Sequence, residues 1–161
     1  MLAQTGEQIG GRYQIDSLIG RGGFSEVYRG VDLILGREVA IKLLGMKPFM
    51  QANMTAADVL QDMTSRFQNE ARMVAQLRDP STVTLFDFGA DERSHKLYMV
   101  LELIHGKTLR QVILERGKLD VYDAAHILKY ALESLREAHA QGVIHRDIKP
   151  ENLMIYRHVD G

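Results

Sequence analysis

Cysteine does not occur in this chain of 161 residues, which excludes disulfide frameworks and cysteine-dependent catalysis. Its absence is also compatible with a reducing cytosol. No apolar run is long enough to span a bilayer, and residues 1–11 lack the basic start and apolar centre of a signal peptide. We therefore expect a cytoplasmic globular chain with no membrane segment of its own; a membrane anchor beyond Gly161 in a longer protein is compatible with this.

An excess of one charge is also lacking, because 20 Lys and Arg against 21 Asp and Glu leave a formal net charge of −1. There is no basic run and no alternation of basic and aromatic residues, so we expect no nucleic acid and no anionic membrane as a partner. The histidines do not have the spacing of metal ligands, and we assign no metal site to them.

The most informative segment present is His145 to Asn152, which reads HRDIKPEN. Transfer of a γ-phosphoryl group to a hydroxyl needs a proton acceptor, a cation near the phosphate and an oxygen ligand for Mg²⁺. Asp147, Lys149 and Asn152 provide one of each within a single short loop. The alternative is a charged surface turn after a helix.

A glycine-rich run, IGRGGFSEV, lies near the start of the chain. Glycine lets a backbone turn tightly and approach phosphate oxygens, although many hairpin turns are also rich in glycine. A dinucleotide site would require a helix directly after the glycines, but Ser25 to Asp32 alternates in the manner of a strand. The run therefore predicts a hairpin flap over phosphates, or an ordinary hairpin, formed by Ile19, Gly20, Arg21, Gly22, Gly23, Phe24, Ser25, Glu26 and Val27.

Lys42 interrupts the apolar strand predicted over Val39 to Leu44, and Ala40 lies on the same face. Burying an unpaired ammonium costs several kcal/mol, so Lys42 needs a partner unless it reaches solvent from an edge strand. A helix predicted to start at Thr55 and to stop at Pro80 offers one. Its apolar stripe consists of Leu60, Met63, Phe67, Val74 and Leu77. The spacing of the stripe calls for one more buried position between Phe67 and Val74, and that position is Glu70.

Glu70 also needs a cation if its side chain is buried, and we predict an ion pair with Lys42. The alternative is that Glu70 lies at the rim of the stripe. Between this helix and the loop, Lys96 to Ile104 predicts an apolar strand, which in isolation is also compatible with a plain core strand. Two helices follow. The first covers Thr108 to Arg116, and the second starts at Asp120, stops at Gly142 and has an apolar face of Val121, Ala124, Leu128, Ala131, Leu135 and Ala138.

In order and separation, these motifs resemble those of the eukaryotic-like protein kinases, and more narrowly the bacterial serine/threonine protein kinases, over residues 9 to 156. The motifs that carry the resemblance are Gly20, Gly22, Val27, the VAIK of 39–42, Glu70 and the loop of 145–152. The resemblance implies an α+β fold with a small antiparallel sheet lobe and one long helix over residues 1–105. Residues 106–161 would be the first helices and catalytic loop of an incomplete helical large lobe.

By that resemblance the chain would use ATP and Mg²⁺ to phosphorylate a Ser or Thr hydroxyl of a protein substrate. Lys42 would hold the α- and β-phosphates and pair with Glu70. Asp147 would accept the hydroxyl proton, Lys149 would reach the γ-phosphate and Asn152 would bind magnesium. The adenine would contact Ala40, the gatekeeper Leu101, and backbone groups of Glu102 and Ile104.

One departure concerns the D-F-G motif of that family, whose Asp ligates magnesium downstream of the catalytic loop. Residues 153–161 do not contain it, and we interpret Asp87-Phe88-Gly89 as the coincidental end of a strand. We therefore expect these 161 residues alone to transfer little phosphate. The alternative function is a truncated, non-catalytic module that binds nucleotide or docks on a kinase.

Two surfaces favour association. The long second helix would expose an apolar face, which predicts homo-association. Residues 45–57, with Met46, Met50 and Met54, are either local packing or a docking surface for a partner.

Overall fold

The computed structural model describes residues 1–22, 25–44, 56–94 and 96–156, and within the first helix it leaves out the side chains of residues 56–60, 62, 63, 66 and 70. The chain divides into two units. One contains Met1–Gln76 and Thr84–Leu103, and the other contains Leu77–Val83 and Ile104–Gly161. The methionine-containing insert predicted over 45–57 lies outside the described residues except for its last two positions.

The first unit is built on an antiparallel sheet of six strands with the order β1-β2-β3-β4-β6-β5. The strand predicted to start at Ser25 and end at Asp32 has those bounds, and the strand predicted over 96–104 is shorter at both ends. The strands are β1 (Gln8–Ile9), β2 (Tyr13–Arg21), β3 (Ser25–Asp32), β4 (Arg37–Leu44), β5 (Leu85–Ala90) and β6 (Leu97–Glu102).

Each face of this sheet has its own apolar cluster, because successive side chains of a strand point to opposite faces. Ile41 and Leu43 of β4 belong to the larger cluster, which also contains Ala3, Ile9, Tyr13, Ile15, Tyr28, Val39, Tyr98 and Val100. On the other face, Leu97 and Met99 of β6 pack against Phe67 and Ala71 of the first helix.

That helix, α1, runs from Ala56 to Val74 and packs on β5 and β6. Of the predicted stripe, Phe67 is buried and Val74 and Leu77 are half-buried, whereas the fully buried Ala71 was not part of the prediction. The predicted end at Pro80 is wrong, because α1 stops six residues earlier. Arg78 and Asp79 already belong to the second unit, where their backbone N–H groups donate to the Glu137 carboxylate of the same unit at 2.9 Å and 2.7 Å.

The second unit contains β7 (Lys107–Thr108), α2 (Leu109–Arg116), α3 (Val121–Ala140), a 3₁₀ turn (Pro150–Asn152) and β8 (Met154–Ile155). Both predicted helix starts are confirmed by caps. Thr108 and Gln111 form a capping box at α2, and the Asp120 carboxylate accepts from the N–H groups of Tyr122 and Asp123 at α3. Gly142, with φ +75°, follows the end of α3 as predicted.

The predicted apolar face of α3 is buried only at its C-terminal end. Ala138 is 5% exposed, whereas Val121 is 81% and Leu128 is 59% exposed. The helix thus supports the turn that follows it and leaves apolar side chains on the surface at its start. No helix in the described part of the chain combines the length and apolar character needed to cross a bilayer.

Candidate active site

The loop from His145 to Asn152 is held at both ends by backbone pairing. At its start, the Val143 N–H donates to the Ala138 carbonyl of α3 at 2.8 Å. After its end, β8 pairs with β7, and the Leu109 N–H donates to the Leu153 carbonyl at 2.7 Å. Backbone hydrogen bonds therefore connect the loop to α3 at one end and to the first turn of α2 at the other. The side chains of the loop are largely exposed.

Asp147 is the centre of a polar cluster within this loop. Its Oδ2 atom lies 2.9 Å from the Lys149 Nζ, and it accepts a hydrogen bond of 2.9 Å from the Asn152 amide nitrogen. The same amide nitrogen also donates to the Asp147 backbone carbonyl at 2.8 Å. The Lys149 contact, followed by the Asn152 hydrogen bond, lowers the pKa of Asp147, so this carboxylate is ionised and able to accept a proton at neutral pH.

The two residues before Asp147 shape the backbone. Arg146 has φ 61°, the left-handed region that non-glycine residues rarely adopt and that costs about 1–3 kcal/mol. His145 Nδ1 accepts from the Asp147 N–H at 3.3 Å across this turn. His145 therefore has a structural contact within the loop, and the left-handed turn at Arg146 comes directly before Asp147.

Lys42 lies on the sheet face that α1 covers. Val27 is directly opposite Lys42 on β3, and Met99 is directly opposite it on β6. Residues paired in this way project to the same face, as does Ala40 two positions earlier. The register thus confirms the prediction that Lys42 and Ala40 lie on the same face of β4. Leu101 of β6 is opposite Ala40 and belongs to the same face.

Glu70 lies on α1, one residue before the buried Ala71, but its side chain lies outside the described residues. The ion pair between Lys42 and Glu70 therefore stays a prediction. The register and the packing of α1 on β6 place the two residues on facing elements, which such a pair requires.

The glycine-rich run forms the hairpin between β2 and β3, and no helix follows it, as predicted. Gly20 is opposite Val27, Arg21 is opposite Glu26, and the Gly22 N–H donates to the Ser25 carbonyl at 2.7 Å. The pairing register of β2 with β3 shifts between Leu18 and Gly20. Ile19 lies at this shift, and its side chain is 52% exposed. Gly23 and Phe24, at the tip, lie outside the described residues.

The Glu26 side chain points away from Lys42, because it is paired with Leu43, whose side chain belongs to the larger cluster on the opposite face. Its carboxylate accepts hydrogen bonds from the Tyr28 hydroxyl and the Leu2 N–H. The Glu26 side chain is therefore directed away from the proposed phosphate site, and only the backbone of Glu26 is available to bind a phosphate there.

The predicted adenine-binding residues fall at the end of β6. Glu102 is its last residue, and its N–H donates to the Thr84 carbonyl at 2.9 Å. Ile104 follows the strand, and its carbonyl accepts from the Gly106 N–H at 3.1 Å. The strand thus ends three residues before His105.

Asp87 of the misplaced D-F-G triplet is engaged inside the first unit. Its Oδ2 accepts a 2.6 Å hydrogen bond from the Tyr13 hydroxyl, and Asp87 lies in the middle of β5. Burial, followed by the bond to Asp87, raises the pKa of Tyr13, so this hydroxyl keeps its proton and remains the donor. The triplet belongs to a strand, although β5 continues to Ala90 and does not end at Gly89.

Two positions, Gly106 and Glu137, have packing roles that the sequence did not predict. Gly106 faces β8 so closely that a Cβ there would lie 2.3 Å from the Ile155 carbonyl oxygen. Glu137 holds the segment after α1 through the N–H groups of Arg78 and Asp79. Neither has a local sequence signal, because both depend on elements distant in the chain.

Among the residues whose side chains are described, no group of three or more His, Asp and Glu has the geometry of a metal site. The first unit contains the Lys42 face and the glycine hairpin, and the second unit contains the Asp147 loop. Residues 13–160 match the family described as the protein kinase domain. The chain belongs to the protein kinase family.

Its relatives are bacterial, as the motifs predicted. It is 39% identical to the probable serine/threonine-protein kinase PknB of Bifidobacterium longum, over 91% of this chain and 21% of that protein. It is 39% identical to serine/threonine-protein kinase PknL of Mycobacterium tuberculosis, over 89% and 33%, and 37% identical to PrkC of Bacillus subtilis, over 93% and 22%. This kinase-family chain spans about a fifth to a third of their lengths.

Solved structures agree on the fold. The crystal structure of a point mutant of the Mycobacterium tuberculosis PknI kinase domain superposes with a TM-score of 0.78 at 25% identity, covering 96% of this chain and 58% of that one. A double mutant of the same domain gives a TM-score of 0.81, covering 99% and 59%. The predicted kinase fold is confirmed, and the chain is shorter than a full kinase domain.

Proposed function

We propose that the protein to which this chain belongs is an ATP-dependent serine/threonine protein kinase. Residues 1–161 would supply its nucleotide-binding lobe and catalytic loop, with the small lobe over residues 1–105 and the start of the large lobe over 106–161. This part of the protein would act in the cytoplasm, on a protein substrate that presents a Ser or Thr hydroxyl. The membership of the chain in the kinase family and its serine/threonine kinase relatives support this proposal.

The arrangement around Asp147 carries the proposal. An exposed carboxylate that keeps its charge through Lys149 and Asn152 is able to accept the proton of an incoming hydroxyl. Lys149 is 47% exposed in its side chain and places its ammonium 2.9 Å from that carboxylate, close enough to attract the negative phosphoryl group to the same point. A surface turn would not need all three groups to converge.

Asn152 fits the proposed role of magnesium ligand. Its amide nitrogen donates to Asp147, which leaves the amide oxygen as the atom for a hard cation. A bound Mg²⁺ would neutralise charge on the phosphate oxygens. Asn152 is also held by the 3₁₀ turn, since its own N–H donates to the Lys149 carbonyl at 2.9 Å. Its position is thus set before any ligand binds.

In the first unit, Lys42 would hold the α- and β-phosphates in partnership with Glu70. Val27, Ala40 and Leu101 would form the apolar surface against the nucleotide, since they share the Lys42 face. The backbone of the glycine hairpin would cover the phosphates, and the end of β6 would offer backbone groups of Glu102 and Ile104 to the adenine. Apolar walls with a few placed polar groups are typical of nucleotide pockets.

The decisive variant is Asp147→Asn in the native-length protein, assayed with labelled ATP, Mg²⁺ and a generic Ser/Thr substrate. Loss of the proton acceptor should lower the rate of transfer about 10²- to 10⁴-fold while nucleotide binding persists. Asp123→Asn is the matched control, because Asp123 is an exposed carboxylate of the same unit and lies on α3. It should leave the rate unchanged.

An equal rate for Asp147→Asn and wild type would remove Asp147 from the proposed chemistry. Nucleotide binding without transfer by the native-length wild type would favour the alternative, a non-catalytic module. We further expect the 161-residue chain alone to transfer little phosphate, and robust phosphorylation by it would contradict that expectation. Intact mass spectrometry of the native protein, compared with 18.2 kDa, should precede both assays because it identifies the chain to be tested.

A further inference from the structure

The first three residues dock on the face of the sheet opposite Lys42. Ala3 is 2% exposed and belongs to the larger apolar cluster, and Leu2 packs against it. The segment then follows β2, since the Gly6 N–H donates to the Ile15 carbonyl at 2.8 Å and the Ile15 N–H donates to the Glu7 carbonyl at 2.8 Å. Residues 1–9 therefore extend the sheet and close one side of its core.

The Tyr28 hydroxyl is one anchor of this segment. The Tyr28 hydroxyl accepts from the N–H groups of Leu2 and Ala3, at 3.0 Å and 2.9 Å, and donates to the Glu26 carboxylate. These bonds use the donor and both lone pairs of the hydroxyl. Tyr28 is fully buried, so removing its hydroxyl would take a hydrogen-bond partner from each of these groups.

Glu26 connects this anchor to the glycine hairpin. It accepts from the Tyr28 hydroxyl and the Leu2 N–H, and its Oε1 lies 3.2 Å from the Nε of Arg21, directly opposite on β2. The side chain of Glu26 is only 13% exposed. The hydrogen bond from Tyr28, followed by the one from Leu2, lowers the pKa of Glu26, so the carboxylate is ionised at neutral pH.

The neighbour of Glu26 in the chain faces the other way. Val27 is opposite Lys42 and Gly20, at the root of the flap. Two adjacent residues of β3 therefore connect the two faces of the sheet. Glu26 is bound to the N-terminal segment on one face, and Val27 lies beside the proposed phosphate anchor on the other.

We infer that Tyr28 and Glu26 are positioning residues, through which docking of residues 1–3 sets the position of the glycine hairpin. At the hairpin end, Ser25 and Glu26 of β3 also pair with β4, whereas the pairs formed by Gly20 and Arg21 of β2 are to β3. The contacts of Glu26 to Tyr28, Leu2 and Arg21 add a second attachment on the back of the hairpin. The consequence for nucleotide binding rests on the proposed function, whereas the docking and its effect on the hairpin do not.

The test compares Tyr28→Phe with Tyr13→Phe in the chain as it stands. Phenylalanine keeps the buried ring and deletes only the hydroxyl. Tyr13 is the matched control because it is equally buried in the same cluster and its hydroxyl contacts Asp87 instead of the N-terminal segment. The readout is amide hydrogen exchange, followed residue by residue by NMR, at Leu2 and Ala3 and at Gly22, whose N–H is bonded to Ser25.

We expect exchange at Leu2, Ala3 and Gly22 to be about 3- to 10-fold faster in Tyr28→Phe than in Tyr13→Phe, as the loss of a net hydrogen bond predicts. Glu26→Gln keeps an amide oxygen for Tyr28 and Leu2 but loses the charge that attracts Arg21. It should therefore accelerate exchange at Gly22 more than at Ala3. Affinity for MgATP should fall about 3- to 10-fold in Tyr28→Phe.

An unchanged exchange rate at Gly22 in Tyr28→Phe and in Glu26→Gln would overturn the inference, even if exchange at Leu2 and Ala3 becomes faster. So would an equal effect of Tyr13→Phe, because a general loss of stability would then explain the result. If the wild-type chain binds no MgATP, the proposed function fails for this chain. The exchange rates would still decide whether the N-terminal segment positions the hairpin.

Discussion

In the first unit, apolar clusters lie on both faces of a six-stranded sheet, whereas in the described part of the second unit the buried side chains are Leu109, Val112 and Ala138. The proposed phosphate-anchoring face is thus stabilised mainly by hydrophobic burial. The proposed catalytic loop is stabilised by helix caps, backbone hydrogen bonds and a two-stranded sheet. Since burial contributes more free energy per residue than a cap, the two parts of the proposed site differ in their local stability.

The first unit also keeps its buried charge paired. Asp32 is fully buried and receives two hydrogen bonds from the Arg12 guanidinium, at 2.8 Å and 2.7 Å, and two from the N–H groups of Ile34 and Leu35. In the second unit the ionic contacts, such as Lys107 with Glu115, are exposed and contribute little. Three predictions test this contrast.

The largest effect should come from Ile41→Ala, because Ile41 is fully buried between Tyr28 and Val100 of the neighbouring strands. The cavity should lower the free energy of unfolding by about 2–5 kcal/mol. Ile144→Ala removes the same atoms from a side chain that is 63% exposed in the second unit, and should cost less than about 0.5 kcal/mol. Urea denaturation measures both. Similar losses would mean that the second unit has a core as well packed as the first.

The next effect concerns pH. The Arg12 hydrogen bonds lower the pKa of Asp32 from 3.8 to about 2. A lowered folded-state pKa contributes stability that is complete above the unfolded pKa and is lost as the pH falls through the folded one. Asp32→Asn should therefore lower the free energy of unfolding by about 2 kcal/mol at neutral pH. The difference from wild type should narrow between about pH 4 and pH 2. A difference that is constant over that range would show that the charge of Asp32 does not stabilise the fold.

The smallest effect should come from Asp120→Ala, which removes the cap of α3. Loss of the hydrogen bonds to Tyr122 and Asp123 should cost about 1 kcal/mol and speed amide exchange in the first turn. Asp123→Ala is the matched control, since it removes a carboxylate from the same turn without removing the cap, and should cost only a few tenths of that. Equal effects of the two variants would mean that charge, and not capping, stabilises this end.

Much of this arrangement was predictable from local patterns. Alternation in Ser25 to Asp32 predicted β3 with its observed bounds, and Thr108, Asp120 and Gly142 predicted the helix ends. Such signals are local, because a strand repeats every two residues and a cap bonds within one turn. The HRDIKPEN segment likewise predicted a proton acceptor, an ammonium and an amide close together, since eight residues in one loop cannot separate them far.

What the pattern could not predict depends on contacts between distant residues. The segment after α1 is one example, because the N–H of Arg78 donates to Glu137, 59 positions further along the chain. The sequence predicted Glu26 as a residue of the glycine hairpin. It did not predict that the Glu26 carboxylate accepts hydrogen bonds from the Leu2 N–H and the Tyr28 hydroxyl. The exposure of Val121 and Leu128 on α3 is also a tertiary property, because periodicity identifies an apolar face and not what covers it.

The sequence by itself therefore determined β3, the starts of α2 and α3 and the kinase motifs, because each is encoded by residue spacing within one strand, turn or loop. Tertiary structure alone decided which face of the sheet each residue joins and which carboxylates serve as anchors. It also decided that Arg146 adopts a left-handed backbone between α3 and Asp147. The physical reason is that burial and many hydrogen bonds arise between segments distant in the chain. Local residue spacing does not specify which distant residue will be the partner.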